Sequence, residues 1–214
     1  VNRGLLKQFF KENTTQSDIP SAAALAHFYL SIQDNPEANE KLRAVMDETI
    51  FSEQPGRKAK VFEERHEIEA VATCEQIIRL MRRHTDPMNQ HVLVNRALMF
   101  EDEIVPELTR MLKMSLNTGF IETAIRVLAK SKKDISDELI RDFDDIRYPY
   151  AQSMVLVVLG YKADEAYVAW LIDKYEKLKR LYPDQSYCEG AYYALCEIDN
   201  ITPAIDNRKK YKRL

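Results

Sequence analysis

The sequence predicts an all-α chain whose helices stack as antiparallel pairs into a right-handed α-α superhelix, and three observations carry that prediction. Helix formers dominate. Of the 214 residues 45% are hydrophobic and 30% charged, with only 5 Gly and 8 Pro, so the punctuation that turn-rich β architectures need is missing. Between Met88 and Asp199, a helix ending in a small apolar cluster recurs. Arg96-Ala97-Leu98-Met99, Arg126-Val127-Leu128-Ala129, Val157-Val158-Leu159-Gly160 and Ala194-Leu195-Cys196 align on Leu98, Leu128, Leu159 and Leu195, in steps of 30, 31 and 36 residues. After each of the first three, a short polar break leads into a second helical segment, which is the layout of a stacked helical hairpin.

Each element has its own local signal. Asn2 to Lys11 carries Leu5, Leu6, Phe9 and Phe10, the i, i+4 stripe of a short amphipathic helix. Pro20-Ser21 opens a second helix with Leu25, Phe28, Tyr29 and Ile32 as its inner face, while Ala22, Ala23, Ala24 and Ala26 let a neighbour approach. Asn35-Pro36 caps a third, carrying Leu42, Val45, Met46 and Ile50 and running out near Pro55-Gly56. One long helix is expected from Lys58 to His84, with the polar interval Glu63 to Glu67 as either a break or an exposed face.

Thr85-Asp86-Pro87 ends that helix and caps the next. The first hairpin sets Val92, Val94 and Leu98 against Ile104, Leu108, Met111 and Leu112. The second sets Ile121, Ile125 and Leu128 against Ile135, Leu139, Ile140 and Phe143. The third sets Met154, Val155, Val158 and Leu159 against a long helix from Asp164 to about Tyr182. Ser186 and Glu189 have capping-box spacing and open a half-unit with Tyr192, Tyr193, Leu195 and Ile198. The expected organisation is one domain over 1–199, with 1–87 as N-terminal capping helices and 88–199 as repeats, followed by a basic tail over 200–214.

This pattern of a small-apolar first helix, a tight polar break and a second helix with Leu at i, i+4 resembles the HEAT and armadillo class of α-solenoid over residues 88–199. Tetratricopeptide repeats are the near alternative, since Tyr175-Glu176-Lys177-Leu178 through Leu181-Tyr182-Pro183-Asp184, then Ala191-Tyr192-Tyr193-Ala194-Leu195, is similar to the junction of two such repeats. The uneven steps and the early breaks after Phe100 and Gly160 weigh against that alternative. Either resemblance implies a concave surface for partners and no catalysis.

Charge and cysteines bound the function. A formal charge of −3 gives no global footprint for nucleic acid or anionic membrane. Cys74, Cys188 and Cys196 lack CxxC spacing, and their odd number fits a reducing, cytoplasmic setting. No run of about 18 apolar residues is present to span a membrane. Glu63-x-x-His66 has di-iron spacing but no second copy, so no metal or cofactor is expected. His27, His84 and His91 have no triad-like partners, and Gly-rich phosphate loops are missing. The opening at Val1 rather than Met, with the helix-like Leu5-Leu6-Phe9-Phe10 pattern after it, fits either a trimmed chain or a piece of a longer protein.

Two features suggest a binding surface. Nine of the 11 tyrosines and the single tryptophan lie between Tyr148 and Tyr193. In the helix after Asp164, Val168, Leu171, Tyr175, Leu178 and Tyr182 form one stripe, with Tyr167 and Trp170 one step round it. Such a double stripe serves either packing on both flanking units or a partner. The segment Asp137, Glu138, Asp142, Asp144 and Asp145 is acidic, with Arg141 its only cation. With Glu103, Glu107, Asp173 and Glu176 it forms either a solvated face or a groove for a basic peptide.

The leading expectation is a non-enzymatic scaffold for a protein or peptide of basic character, using Tyr167, Trp170, Asp142, Asp145 and Asp173. The alternative is a HEAT-like nucleic-acid-binding protein in which Arg79, Arg82, Arg83 and Arg208 to Arg213 meet phosphate. A glycosylase variant of that alternative would hold an excised base with Trp170, Tyr167 and Asp173. The acidic middle unit argues against both.

Overall fold

Helical periodicity governs every described element of the computed structural model, which describes residues 2–13, 20–33, 35, 37, 40–41, 44–45 and 54–199. Among these residues there are eleven α-helices, three short 3-10 turns and no strand. The helices are α1 (Asn2–Glu12), α2 (Ala22–Gln33), α3 (Pro55–Glu69), α4 (Cys74–Met81), α5 (Gln90–Leu98), α6 (Glu101–Leu112), α7 (Thr118–Lys130), α8 (Ser136–Arg141), α9 (Pro149–Lys162), α10 (Val168–Leu181) and α11 (Glu189–Ile198). No helix among the described residues is long and apolar enough to cross a membrane. Leu42, Met46 and Ile50 of the expected third helix, and the basic tail, lie outside the described residues.

The chain divides into two compact units, Tyr29–Lys133 and Val1–Phe28 with Asp134–Leu214. In the first, caps decide where helices begin. The expected long helix over 58–84 is two helices, because Thr73 starts α4 afresh. Its hydroxyl accepts from the Gln76 amide while the Gln76 side chain answers the Thr73 amide. The polar interval Glu63 to Glu67 stays helical within α3. Asp86 accepts from Met88 N at 3.0 Å and Asn117 from Phe120 N at 2.9 Å, so the breaks before α5 and α7 fall at Asn and Asp, residues favoured as N-caps. Ile77, Leu93, Val94, Ile104, Leu108, Phe120, Ile121, Ala124, Ile125, Val127 and Leu128 fill the core between α4, α5, α6 and α7. Leu98 does not match its expected equivalents. As the last residue of α5 it is only half-buried, and Ala97 takes the buried place, whereas Leu128, Leu159 and Leu195 are fully enclosed.

The second unit is organised by α9. Every residue from Ser153 to Gly160 is buried, as in a helix enclosed on all sides. Its most extensive partner is α11, and small residues set how close the two come. A Cβ on Gly190 would lie 1.9 Å from the Ser153 carbonyl oxygen, and one on Gly160 would lie 2.7 Å from Ala194 Cα. The two contacts ascend together, so α9 and α11 run in the same sense.

Three expectations change in this unit. The Ser186–Glu189 capping box does not form: Cys188 stands at the N-cap without a side-chain bond, and the Glu189 carboxylate accepts from the Ser21 hydroxyl instead. The expected second helix over 135–143 shrinks to α8 plus a 3-10 turn over Phe143–Asp145. On α2 the face is reversed. Ala23, Ala26, His27 and Leu30 are buried, while Leu25 is 43% and Phe28 39% exposed. His27 explains the choice, since its ring stacks on Tyr193 (5.3 Å, 29°), its Nε2 lies 3.0 Å from Glu197, and its carbonyl accepts from the Tyr161 hydroxyl. The N-terminal helix packs on the C-terminal hairpin, with Phe9 edge-on to Tyr175 of α10.

Candidate partner-binding site

All five expected site residues fall in the second unit: Asp142 at the C-cap of α8, Asp145 in the 3-10 turn after it, Tyr167 in the 3-10 turn that leads into α10, and Trp170 and Asp173 in the first turns of α10. The two stripes of α10 have different neighbours. Val168, Leu171, Tyr175 and Leu178 are buried. The second stripe is Tyr167, Trp170, Lys174 and Lys177, and it runs along the acidic segment. This i, i+3, i+7, i+10 spacing keeps the four side chains on one face.

The register is set by three contacts. The Tyr167 hydroxyl donates to Asp137, and this bond, with burial and the charges of Asp137, Asp164 and Asp134, pushes the phenol up from its ordinary value. Trp170 meets Phe143 edge-on, with ring centroids 5.2 Å apart and planes at 83°. Lys174, a buried lysine, lays its ammonium 5.1 Å from the Trp170 ring and 5.5 Å from Phe143, and reaches Asp144 at 3.4 Å. Lys177 donates to the same carboxylate at 2.9 Å, which holds the Asp144 carboxyl below its ordinary range against a smaller opposing effect of burial.

The carboxylates therefore differ in standing. Asp137 and Asp144 are engaged by α10, and Asp142 is held by Arg141 at 2.8 Å with its side chain mostly covered. Asp145 and Asp173 are exposed, and Trp170 and Tyr167 are half-buried. The arrangement leaves part of the indole and phenol at the surface with carboxylates at the rim. Phe143, Lys174 and Lys177 were not expected here. Lys174 and Lys177, four and seven residues beyond Trp170, are the signal that its face carries cations.

Glu103 and Glu107 belong to the other unit. There Glu107 pairs with Arg110 at 2.5 Å, and both carboxylates add to the burial that raises the Cys74 thiol. In the same unit the cations of the nucleic-acid alternative meet carboxylates. Arg79 pairs with Glu75 at 2.5 Å, Arg83 with Glu67 at 2.6 Å, and Arg82 lies within the field of Glu107. Arg208 to Arg213 lie outside the described residues.

All three thiols are free, and burial pushes each above its ordinary value, so little thiolate is present near neutral pH. His66 is exposed, 3.7 Å from Glu69. Among the described residues no group of three His, Cys, Asp or Glu is placed to hold a metal ion. No protein-family model matches the chain, and neither a curated protein nor a solved structure matches it.

Proposed function

We propose that the chain is a non-enzymatic scaffold of the HEAT or armadillo class, its hairpins following a right-handed superhelix, and that it binds a basic protein segment through the α8–α10 face. The observation that carries this reading is the second stripe of α10, where half-buried Tyr167 and Trp170 lie along the acidic segment, with Asp173 exposed on the same helix. Aromatic side chains with a polar tip are the commonest anchors of protein interfaces, and a carboxylate rim steers a cationic partner. The raised thiols and the carboxylate-paired arginines of the other unit support binding over nucleophilic or phosphate chemistry.

The test is a titration of the chain with a labelled lysine- and arginine-rich peptide across a range of salt. Trp170→Ala is expected to weaken binding by about 2 kcal/mol while the helical signal and melting point hold. Replacing Asp145 and Asp173 by Asn is expected to slow association and flatten its salt dependence, with little change in stability, as for rim charges elsewhere. Binding indifferent to all three substitutions refutes the proposed face. Loss of about 3–5 kcal/mol of stability in Trp170→Ala assigns the indole to packing instead.

A further inference from the structure

Helix α1 is held by a narrow line of contact. Leu6 and Phe9 are buried and Phe10 half-buried, while Arg3, Leu5, Lys7, Gln8, Lys11 and Glu12 are exposed. The groove that holds it lies between α10 and α11. Phe9 stands edge-on to Tyr175, with centroids 4.8 Å apart and planes at 85°, and inclines toward Tyr192 at 6.1 Å. Phe10 meets Tyr192 edge-on at 5.6 Å and 86°. At the end of α1, Lys179 of α10 donates to the Asn13 side chain at 3.1 Å.

Little in α1 itself sustains a helix. Its 11 residues fall below the roughly 12–15 at which isolated helices become stable, and Gly4 lowers its propensity further. Its helical form depends on the groove. The groove's wall differs from the aliphatic core around α9, because Tyr175 and Tyr192 offer ring faces that end in a hydroxyl. Such side chains accept either a helix or water and are enriched at interfaces for that reason.

We infer that the α10–α11 groove is a receptor for an amphipathic helix that carries two adjacent aromatic side chains one turn after a buried leucine, and that α1 occupies it as an internal competitor. The surface is separate from the α8–α10 face and does not depend on it. The partner is recognised by the spacing of Leu6, Phe9 and Phe10 on α1, the i, i+3, i+4 anchor pattern of a helix laid in a groove. A partner must displace α1, so its apparent affinity is reduced by the fraction of time the groove stands open.

The experiment uses a labelled peptide of residues 1–13 as the probe and the full chain as receptor. The double variant Phe9→Ala, Phe10→Ala frees the groove, and fluorescence anisotropy with circular dichroism on the same samples reads binding and fold together. The expected result is capture by the folded double variant, with wild type at least about tenfold weaker. Adding Tyr192→Ala to that variant is expected to abolish capture. Three results overturn the inference. Equal capture by wild type and variant puts the peptide elsewhere. A folded variant that captures nothing has no receptor groove. Unfolding of the double variant makes α1 part of the core.

Discussion

Replacing Gly190 by alanine tests the packing on which the second unit depends. Gly190 lies in the first turn of α11 with ordinary helical backbone, so its requirement is space. An added Cβ would stand 1.9 Å from the carbonyl oxygen of Ser153, 2.7 Å from its carbonyl carbon and 2.8 Å from its hydroxyl. Ordinary contact begins at 3.4 Å, so the helices must part by about 1.5 Å, and the nearest obstacle is backbone that cannot turn away. Parting them loosens fully enclosed neighbours, among them Val157, Ala191, Ala194 and Leu195. Overpacking of this kind costs about 1–3 kcal/mol and more against rigid backbone, while alanine's better helix propensity returns at most about 1 kcal/mol. A net loss of about 3 kcal/mol is expected, lowering the melting point by roughly 6–12 °C in a chain of this length. Gly160→Ala, with 2.7 Å to Ala194 Cα, is expected to lose less. Gly4→Ala is the control, since nothing lies within 4 Å of its added Cβ, and it is expected to gain about 0.5–1 kcal/mol. Thermal and urea unfolding followed by circular dichroism reads all three. A Gly190→Ala chain that melts at or above wild type refutes the close α9–α11 approach.

Leu128→Ala and Leu159→Ala remove fully buried side chains and are each expected to cost about 2–5 kcal/mol in urea unfolding, whereas Leu98→Ala, half-buried at the end of α5, is expected to cost less. Burial raises the Glu189 carboxyl above its ordinary 4.5, opposed by the bond from Ser21, so its contribution to stability is present below that value and lost as pH rises through the folded-state value. Glu189→Gln is therefore expected to stabilise the chain at pH 7, with the advantage shrinking as melts are taken toward pH 4; an advantage that grows on acidification contradicts the assignment. Cys196, fully buried and with its thiol pushed up by burial, is expected to react with a thiol reagent only as fast as the unit opens, and rapid labelling of the native chain argues against its enclosure.

The all-α class and most helix positions were legible because their causes are local. The 3.6-residue periodicity of α1, α6 and α7 and Asp86 as a cap act within a few residues of where they are read. The Thr73–Gln76 box that splits 58–84 is equally local and was outweighed by the continuous apolar run around it. The second stripe of α10 was also legible, and with it Tyr167 and Trp170 as neighbours on one face.

What tertiary structure alone decided is which face meets which neighbour. Hydrophobicity pointed Leu25, Phe28 and Tyr29 of α2 inward, yet Ala23, Ala26 and His27 are enclosed, because His27 finds Tyr193, Glu197 and Tyr161 across more than a hundred residues. Glu189 carries the spacing of a cap but bonds Ser21, a partner 168 residues away. Asp144 reads as one more solvated carboxylate until the hairpin register sets Lys174 and Lys177 on it. A side chain's local pattern limits the direction in which it points. The partner it finds depends on helix pairings made by small residues such as Gly160 and Gly190, whose value lies in side-chain atoms they lack and which no periodicity records.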